Sequence, residues 1–270
     1  MKQLFFALFI LLSVPASSQN TFPNQESSDT LSQEEKELFS LLAERFILNA
    51  VDSVMQEGMY MQALEALDSL QANWKKITGK EPSPQLYLRK GQIYMCLEEW
   101  QQLIDATTEC ISYNKDAMSD RMAALIYSMQ GSGYRNLENY KNAIRSYEFA
   151  VSYYSKVGDY GSQGDMLCSI AYSYDKLGKT STASSFYDKG FMKFLQYFNT
   201  TRGKLLQSDI KVDDSYKESV MGVFSAHLFN MAIFEQDNGD RMASKEYLLM
   251  SAHCGNSTAR SEYQRIYGRH

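Results

Sequence analysis

The sequence predicts an all-α chain of stacked helical hairpins, a solenoid. One observation is a six-residue signature, clearest at Gly131, Tyr134, Tyr140, Ala143, Tyr147 and Ala150. The other is its recurrence at a fixed step. Forty residues earlier stand Gly91, Tyr94, Trp100 and Cys110, and forty later stand Ala171, Tyr174, Ala183, Tyr187 and Gly190. Small residues fall where two helices must nearly touch, and aromatic ones fall where the gap between them must be filled. Hairpins repeated in this way cannot bury their apolar faces alone, so each leans on the next.

The elements follow in chain order. Residues 1–18 have the layout of a secretory signal peptide: Lys2, an apolar run Leu4–Leu12, and small residues Ala16-Ser17-Ser18 ahead of Gln19. The run is far shorter than the ~20 apolar residues of a spanning helix, and no later segment approaches that length, so no membrane span is expected in the mature chain. Residues 19–30, QNTFPNQESSDT, lack a helical stripe and read as a disordered leader. Ser32 and Glu35 then form a capping box for a long first helix carrying Leu38, Leu41, Leu42 and Phe46. Its early turns are expected to cap the open end of the array. Within each repeat a small residue on the first helix is followed three places later by a bulky one on the same face. Twelve places after the small residue, an alanine stands on the returning helix. Val51, Val54, Tyr60, Ala63, Leu67 and Leu70 make the first copy, and Met231, Phe234, Ala243, Tyr247 and Met250 the fifth. The second departs most in its returning helix, with Leu103 in place of alanine.

These residues resemble the tetratricopeptide repeat (TPR), whose order of small, tyrosine, alanine, aromatic and alanine they follow. The resemblance covers about 44–77, 84–117, 124–157, 164–197 and 224–257, within a repeat domain of 31–270. It implies a right-handed α-α superhelix of about five hairpins plus terminal capping helices. The step of 40 rather than the family's 34 implies longer turns between repeats, as in DYGSQGD at 159–165. From Ala171 to Met231 the step is 60, and the surplus falls in an insertion at 199–214, read as a helix extension or an irregular segment. Ala252, Gly255, Asn256 and Ala259 resemble the joint between Sel1-like repeats, with Asn256 placed to cap a last helix over 257–267.

Chemistry is scarce. A net charge of −5 disfavours nucleic acid, which usually wants a basic face. Cys96, Cys110, Cys168 and Cys254 are expected to be reduced and mostly buried. Cys96 and Cys110 lie about 10 Å apart along their helix axes, too far for a bridge. His227, among Phe224, Leu228 and Met231, reads as a packed or half-exposed helix residue. His253 beside Cys254 has no spacing that lets two ligands converge on a metal. Gly131-Ser132-Gly133 lies inside a predicted helix, where no phosphate loop can form. No cofactor, metal or catalytic set is expected, and the chain is not read as an enzyme.

The resemblance implies that a protein or peptide partner lies in the concave groove lined by the first helix of each hairpin. Carried over, those positions are Asn49 and Asp52, Arg89 and Gln92, then Ser128, Ser132 and Arg135, and Cys168, Tyr172 and Asp175. Leu48, Leu88 and Ser128 stand where a lysine would help a carboxylate clamp, so that mode is not expected. Arg89 and Arg135 instead suit an acidic or polar segment. The function implied is a non-enzymatic scaffold or adaptor, periplasmic or secreted. The alternative is a receptor for a glycan or other small ligand through a tyrosine-lined concavity, since Tyr153, Tyr154 and Tyr160 cluster and Tyr172 faces inward.

Overall fold

The structure is a computed structural model that describes residues 33–78, 81–212 and 214–268. The signal-peptide and leader segments, and Ser32 of the capping box, lie outside the described residues. Among the described residues there are twelve helices and no strand. They are α1 (Gln33–Gln56), α2 (Tyr60–Thr78), α3 (Pro84–Cys96), α4 (Trp100–Asn114), α5 (Asp120–Asn136) and α6 (Tyr140–Lys156). Then come α7 (Tyr160–Lys176), α8 (Thr180–Tyr197), α9 (Arg202–Gln207), α10 (Ser215–Asp237), α11 (Arg241–His253) and α12 (Ser257–Tyr267). The chain divides into two compact units, one ending at Met122 and one running from Ala123.

A common device ends most of these helices. The residue after the last turn adopts the left-handed conformation, and two backbone N–H groups fold back onto the final carbonyls. At Gly178 (φ 71°) its own N–H donates to Asp175 O, and the Lys179 N–H donates to Tyr174 O. Glu98 and Glu138 take the same place at φ 58° and 57°. The next helix starts at once, often capped: Asn139 accepts from the Asn142 N–H and Asp159 from the Ser162 N–H. Tight turns of this type leave no room for the long connection expected at 159–165. That segment instead opens α7, and the 40-residue step is absorbed by longer helices. Its glycines serve packing: a Cβ on Gly164 would lie 2.8 Å from the Phe194 ring.

In the first unit, α1 pairs with α2 and α3 with α4, around Val51, Leu67, Leu70, Leu86, Ile93 and Leu103. The early stripe of α1 stays exposed at Leu38, Leu41, Leu42 and Phe46. In the second unit the signature residues meet as their sizes require. A Cβ on Gly131 would lie 2.6 Å from the Tyr147 ring, and Ala171 and Ala183 are wholly buried. Further along, Phe194 stacks on Phe224 with ring centroids 4.5 Å apart, and Phe191 and Phe198 adjoin the same ring. The insertion packs down on this core. Leu205 of α9 is wholly buried, Ile210 and Val212 rest on it, and the Ile210 N–H donates to His253 O at 3.3 Å. Asn256 caps α12, accepting from the Ala259 N–H at 2.9 Å.

Candidate functional site

In the first unit the predicted groove residues are largely spent on one another. The Arg89 guanidinium, on α3, grips the Asp52 carboxylate of α1 through two bonds, Nε to Oδ1 at 2.5 Å and Nη2 to Oδ2 at 2.8 Å. One edge of the guanidinium is filled and its charge is paired, so Arg89 offers a ligand little. Asn49 and Gln92 are exposed. Next to Arg89, the buried Lys90 donates to Gln71 Oε1 and pairs with Asp68 at 2.6 Å. The groove cations foreseen for this part reduce to none that is free.

The second unit carries a cleft of about 440 Å³, lined by Arg135, Asn136, Glu138, Tyr140, Ser169, Tyr172, His227 and Asn230. Its walls are the first helices of three hairpins, α5, α7 and α10, with the start of α6. The packing between α5, α6 and α7 behind Ser169 is polar for a repeated reason. Two tyrosines of α6, seven residues apart and so on one helix face, point their hydroxyls between α5 and α7. Tyr147 meets Ser132 at 3.3 Å and also reaches Ser169, and Tyr154 reaches Ser128 and Ser162. Burial pushes both phenols above their ordinary range, so this buried layer is neutral at physiological pH. Ser128 and Ser132 also donate to the α5 backbone, at Leu125 O and Ser128 O. They do not line the cleft, and their hydroxyls are already engaged.

One wall joins aromatic and cationic groups. Tyr140 and Tyr172 meet edge to face, ring centroids 6.5 Å apart, and Lys176 Nζ sits 5.2 Å from the Tyr172 ring centroid. Burial raises the Tyr140 phenol, Glu138 and Tyr172 add to that, and Lys176 and Arg135 oppose it. Both cations therefore act on this wall. On the α10 side, His227 Nε2 meets Asp165 Oδ1 at 2.8 Å, which occupies that carboxylate. Arg135 differs: among the described residues no carboxylate or carbonyl takes its guanidinium, which is half-buried at the cleft.

Of the predicted residues, Arg135 and Tyr172 line this cleft, and Asp175 lies one turn on from Tyr172. Cys168 does not belong to the groove. It is wholly buried at the crossing of α7 and α8, where a Cβ on Gly190 would fall 2.5 Å from its Sγ. His227, read as packing, is a cleft residue, and Asn230 was not foreseen. Tyr153 stacks on Tyr127 at 5.8 Å and Tyr154 is buried, so both are packing residues. All four cysteines are free; Cys110, Cys168 and Cys254 are buried and Cys96 is exposed. Burial lifts the Cys110 and Cys254 thiols to about 12. His253 Nδ1 lies 2.6 Å from Leu205 O, holding the insertion, and no metal-holding cluster occurs among the described residues. None of their helices is long and apolar enough to cross a membrane.

A second, open cleft of about 540 Å³ lies between the insertion and α10–α12, lined in part by Asp209, Lys211, Glu218 and Arg260. Its charges are mixed, and Arg260 is already bonded to Ala252 O at 3.1 Å.

These hairpins define the class: an all-α, TPR-like helical repeat protein. Solved structures share the fold. A Podosopora anserina putative kinesin light chain, with nearly identical TPR-like repeats, aligns at TM-score 0.55 and 14% identity, over 84% of this chain and 98% of that one. The apo form of the quorum sensor NprR from B. thuringiensis aligns at TM-score 0.55 and 13% identity, over 99% and 73%. MamA aligns at TM-score 0.50 and 14% identity, over 78% and 96%. No protein-family model matches the sequence, and no curated protein matches it.

Proposed function

We propose that this protein is a non-enzymatic interaction module, a scaffold or adaptor that holds an extended segment of a partner protein in the α5–α7–α10 cleft. The observation that carries this reading is the cleft itself. Three successive first helices supply it, its rim residues Asn136, Glu138 and Asn230 are exposed, and Ser169, Tyr140 and Tyr172 give it a polar and aromatic lining. An open trough with such a lining suits a chain passing through it. A small-molecule receptor usually encloses its ligand far more completely. The TPR-like fold favours the same reading by analogy only. The residues at the last joint, Ala252, Gly255, Asn256 and Ala259, are assigned to a Sel1-like turn.

The working place assigned to it is the envelope or the secreted fraction, on the signal-peptide layout of residues 1–18. N-terminal sequencing of the exported chain should begin at Gln19, and a retained Met1 would overturn export by this route. The binding reading is tested by placing a photo-crosslinking phenylalanine analogue at Tyr172 and incubating the protein with native envelope and secreted fractions. A discrete partner should crosslink, and Asn230→Arg, which fills the cleft, should reduce its yield at least about tenfold. A partner captured equally by that variant would remove the cleft from the reading. No partner at all would remove the adaptor assignment.

A further inference from the structure

We infer that the cleft selects an internal acidic residue, an aspartate or glutamate side chain, of its bound segment, and that Arg135 is the residue that reads it. This rests on the adaptor reading above and deepens it. The two units supply an internal comparison. In the first, Arg89 shows what such a guanidinium takes when a carboxylate is within reach: a two-bond fork onto Asp52. Arg135 has no such counter-ion among the described residues, although carboxylates stand close by. Asp165 is held by His227 at 2.8 Å. Glu138 sits in the turn at φ 57°, where its backbone belongs to the helix end. A half-buried guanidinium that only water reaches keeps its fork free for a carboxylate brought by a ligand.

The surroundings narrow the chemistry. Lys176 sets a second positive charge on the Tyr140–Tyr172 wall, while the Glu138 carboxylate on the rim opposes both cations, so an anion is favoured at the Arg135 guanidinium itself and not over the whole cleft. The trough is open at its rim, which fits a carboxylate carried on a passing chain rather than one at a chain end. Asn230, exposed on the opposite wall, can serve the amide groups of that chain.

The test is selection from a library of random twelve-residue peptides displayed through their C-termini, so that only side-chain carboxylates are offered. The full chain is compared with Arg135→Glu. The parent should enrich peptides with Asp or Glu at one fixed position. The charge-reversed variant should lose that enrichment and gain Lys or Arg there. Selected peptides, resynthesised with amidated C-termini, should bind Arg135→Gln about ten- to a hundredfold more weakly than the parent. Peptides enriched without an acidic position, or an acidic preference unchanged by Arg135→Glu, would overturn the inference and leave the adaptor reading standing. The same peptides resynthesised with free C-termini should bind the parent no more than about threefold more tightly, and a gain of about tenfold or more would overturn it in favour of a terminal carboxylate. No enrichment with either protein would remove both.

Discussion

The two units are built from the same hairpin but hold themselves together differently. The first threads its core with charge: Lys90 is buried between Asp68 and Gln71, and Gln71 Nε2 reaches Glu109 Oε1 at 3.0 Å and Tyr87 Oη at 3.4 Å. Arg89 is consumed beside it by Asp52. The second is held by rings, from Tyr187 against Phe234 at 5.1 Å to Phe194 against Phe224 at 4.5 Å. Ring packing needs no cation, so Arg135 is not drawn into the architecture. A repeat protein thus separates structure from recognition by what it packs its core with. In the first unit Arg89 and Lys90 are both spent on the architecture. In the second, Arg202 is likewise paired with Glu246 at 2.5 Å, but Arg135 stays available.

The sharpest way to break this comparison is at the crossing of α7 and α8. Gly190→Ala should gain up to about 1 kcal/mol of helix propensity. Against that, the new Cβ would lie 2.5 Å from Cys168 Sγ and 3.0 Å from the Gly164 carbonyl oxygen. A backbone oxygen cannot swing aside as a side-chain end can, so overpacking wins, with a net loss of about 2–3 kcal/mol. Urea unfolding should show the loss, and hydrogen exchange should place it in α7 and α8. A neutral result would mean that the second unit is looser than its rings imply.

A smaller effect is expected in the first unit. Lys90→Ala removes the donor to the half-buried Gln71 amide oxygen together with the packing of the buried lysine stem, at a combined cost of about 2 kcal/mol. Asp68 is well exposed and adds little, because water replaces its partner. Lys90→Met keeps the alkyl stem and should recover roughly half of the loss. If Met were as stable as the parent, the buried charge would be incidental and the contrast between the units would lapse.

The hairpins were legible because their packing rule is a matter of size: Gly131 under Tyr147 and Ala171 near Ala183 can be read without coordinates. The direction each helix faces was harder. Transferring the groove positions of α5 by the repeat step reaches Tyr172, which lines the cleft, but also Cys168 in α7, which is buried. Ser169, next to it, lines the cleft, as do His227 and Asn230 of α10. A one-residue offset turns a helix position by about 100°, enough to move it from groove to core. Glycines at 161 and 164 were misread for a related reason. Glycine marks both turns and close contacts, and only the neighbours separate the two uses. That Asp52 would claim Arg89 was hidden because 37 residues part them in sequence. Nothing in either helix alone announces the pair.

The smallest effect tests whether the polar character of the first unit is a gain or a cost. Glu44 of α1 is buried, and its Oε1 accepts from both the Ser83 hydroxyl and the Ser83 N–H, the latter at 3.2 Å, at the start of α3. Burial raises its carboxyl above the ordinary 4.5, and the two Ser83 bonds only partly offset that. The folded state therefore holds this proton to higher pH than the unfolded chain does. Stability from this group is full below the unfolded carboxyl range and is lost as pH rises through the folded value. Glu44→Gln keeps an oxygen for both Ser83 donors and removes the charge. It should raise the melting temperature of the first unit slightly at pH 7, by under about 1 kcal/mol in stability, and leave it unchanged near pH 4. A lower melting temperature at pH 7 would mean that the bonds from Ser83 to a charged oxygen outweigh its desolvation. The first unit would then depend on its buried charges rather than merely tolerate them, and the contrast with the ring-packed unit would be stronger still.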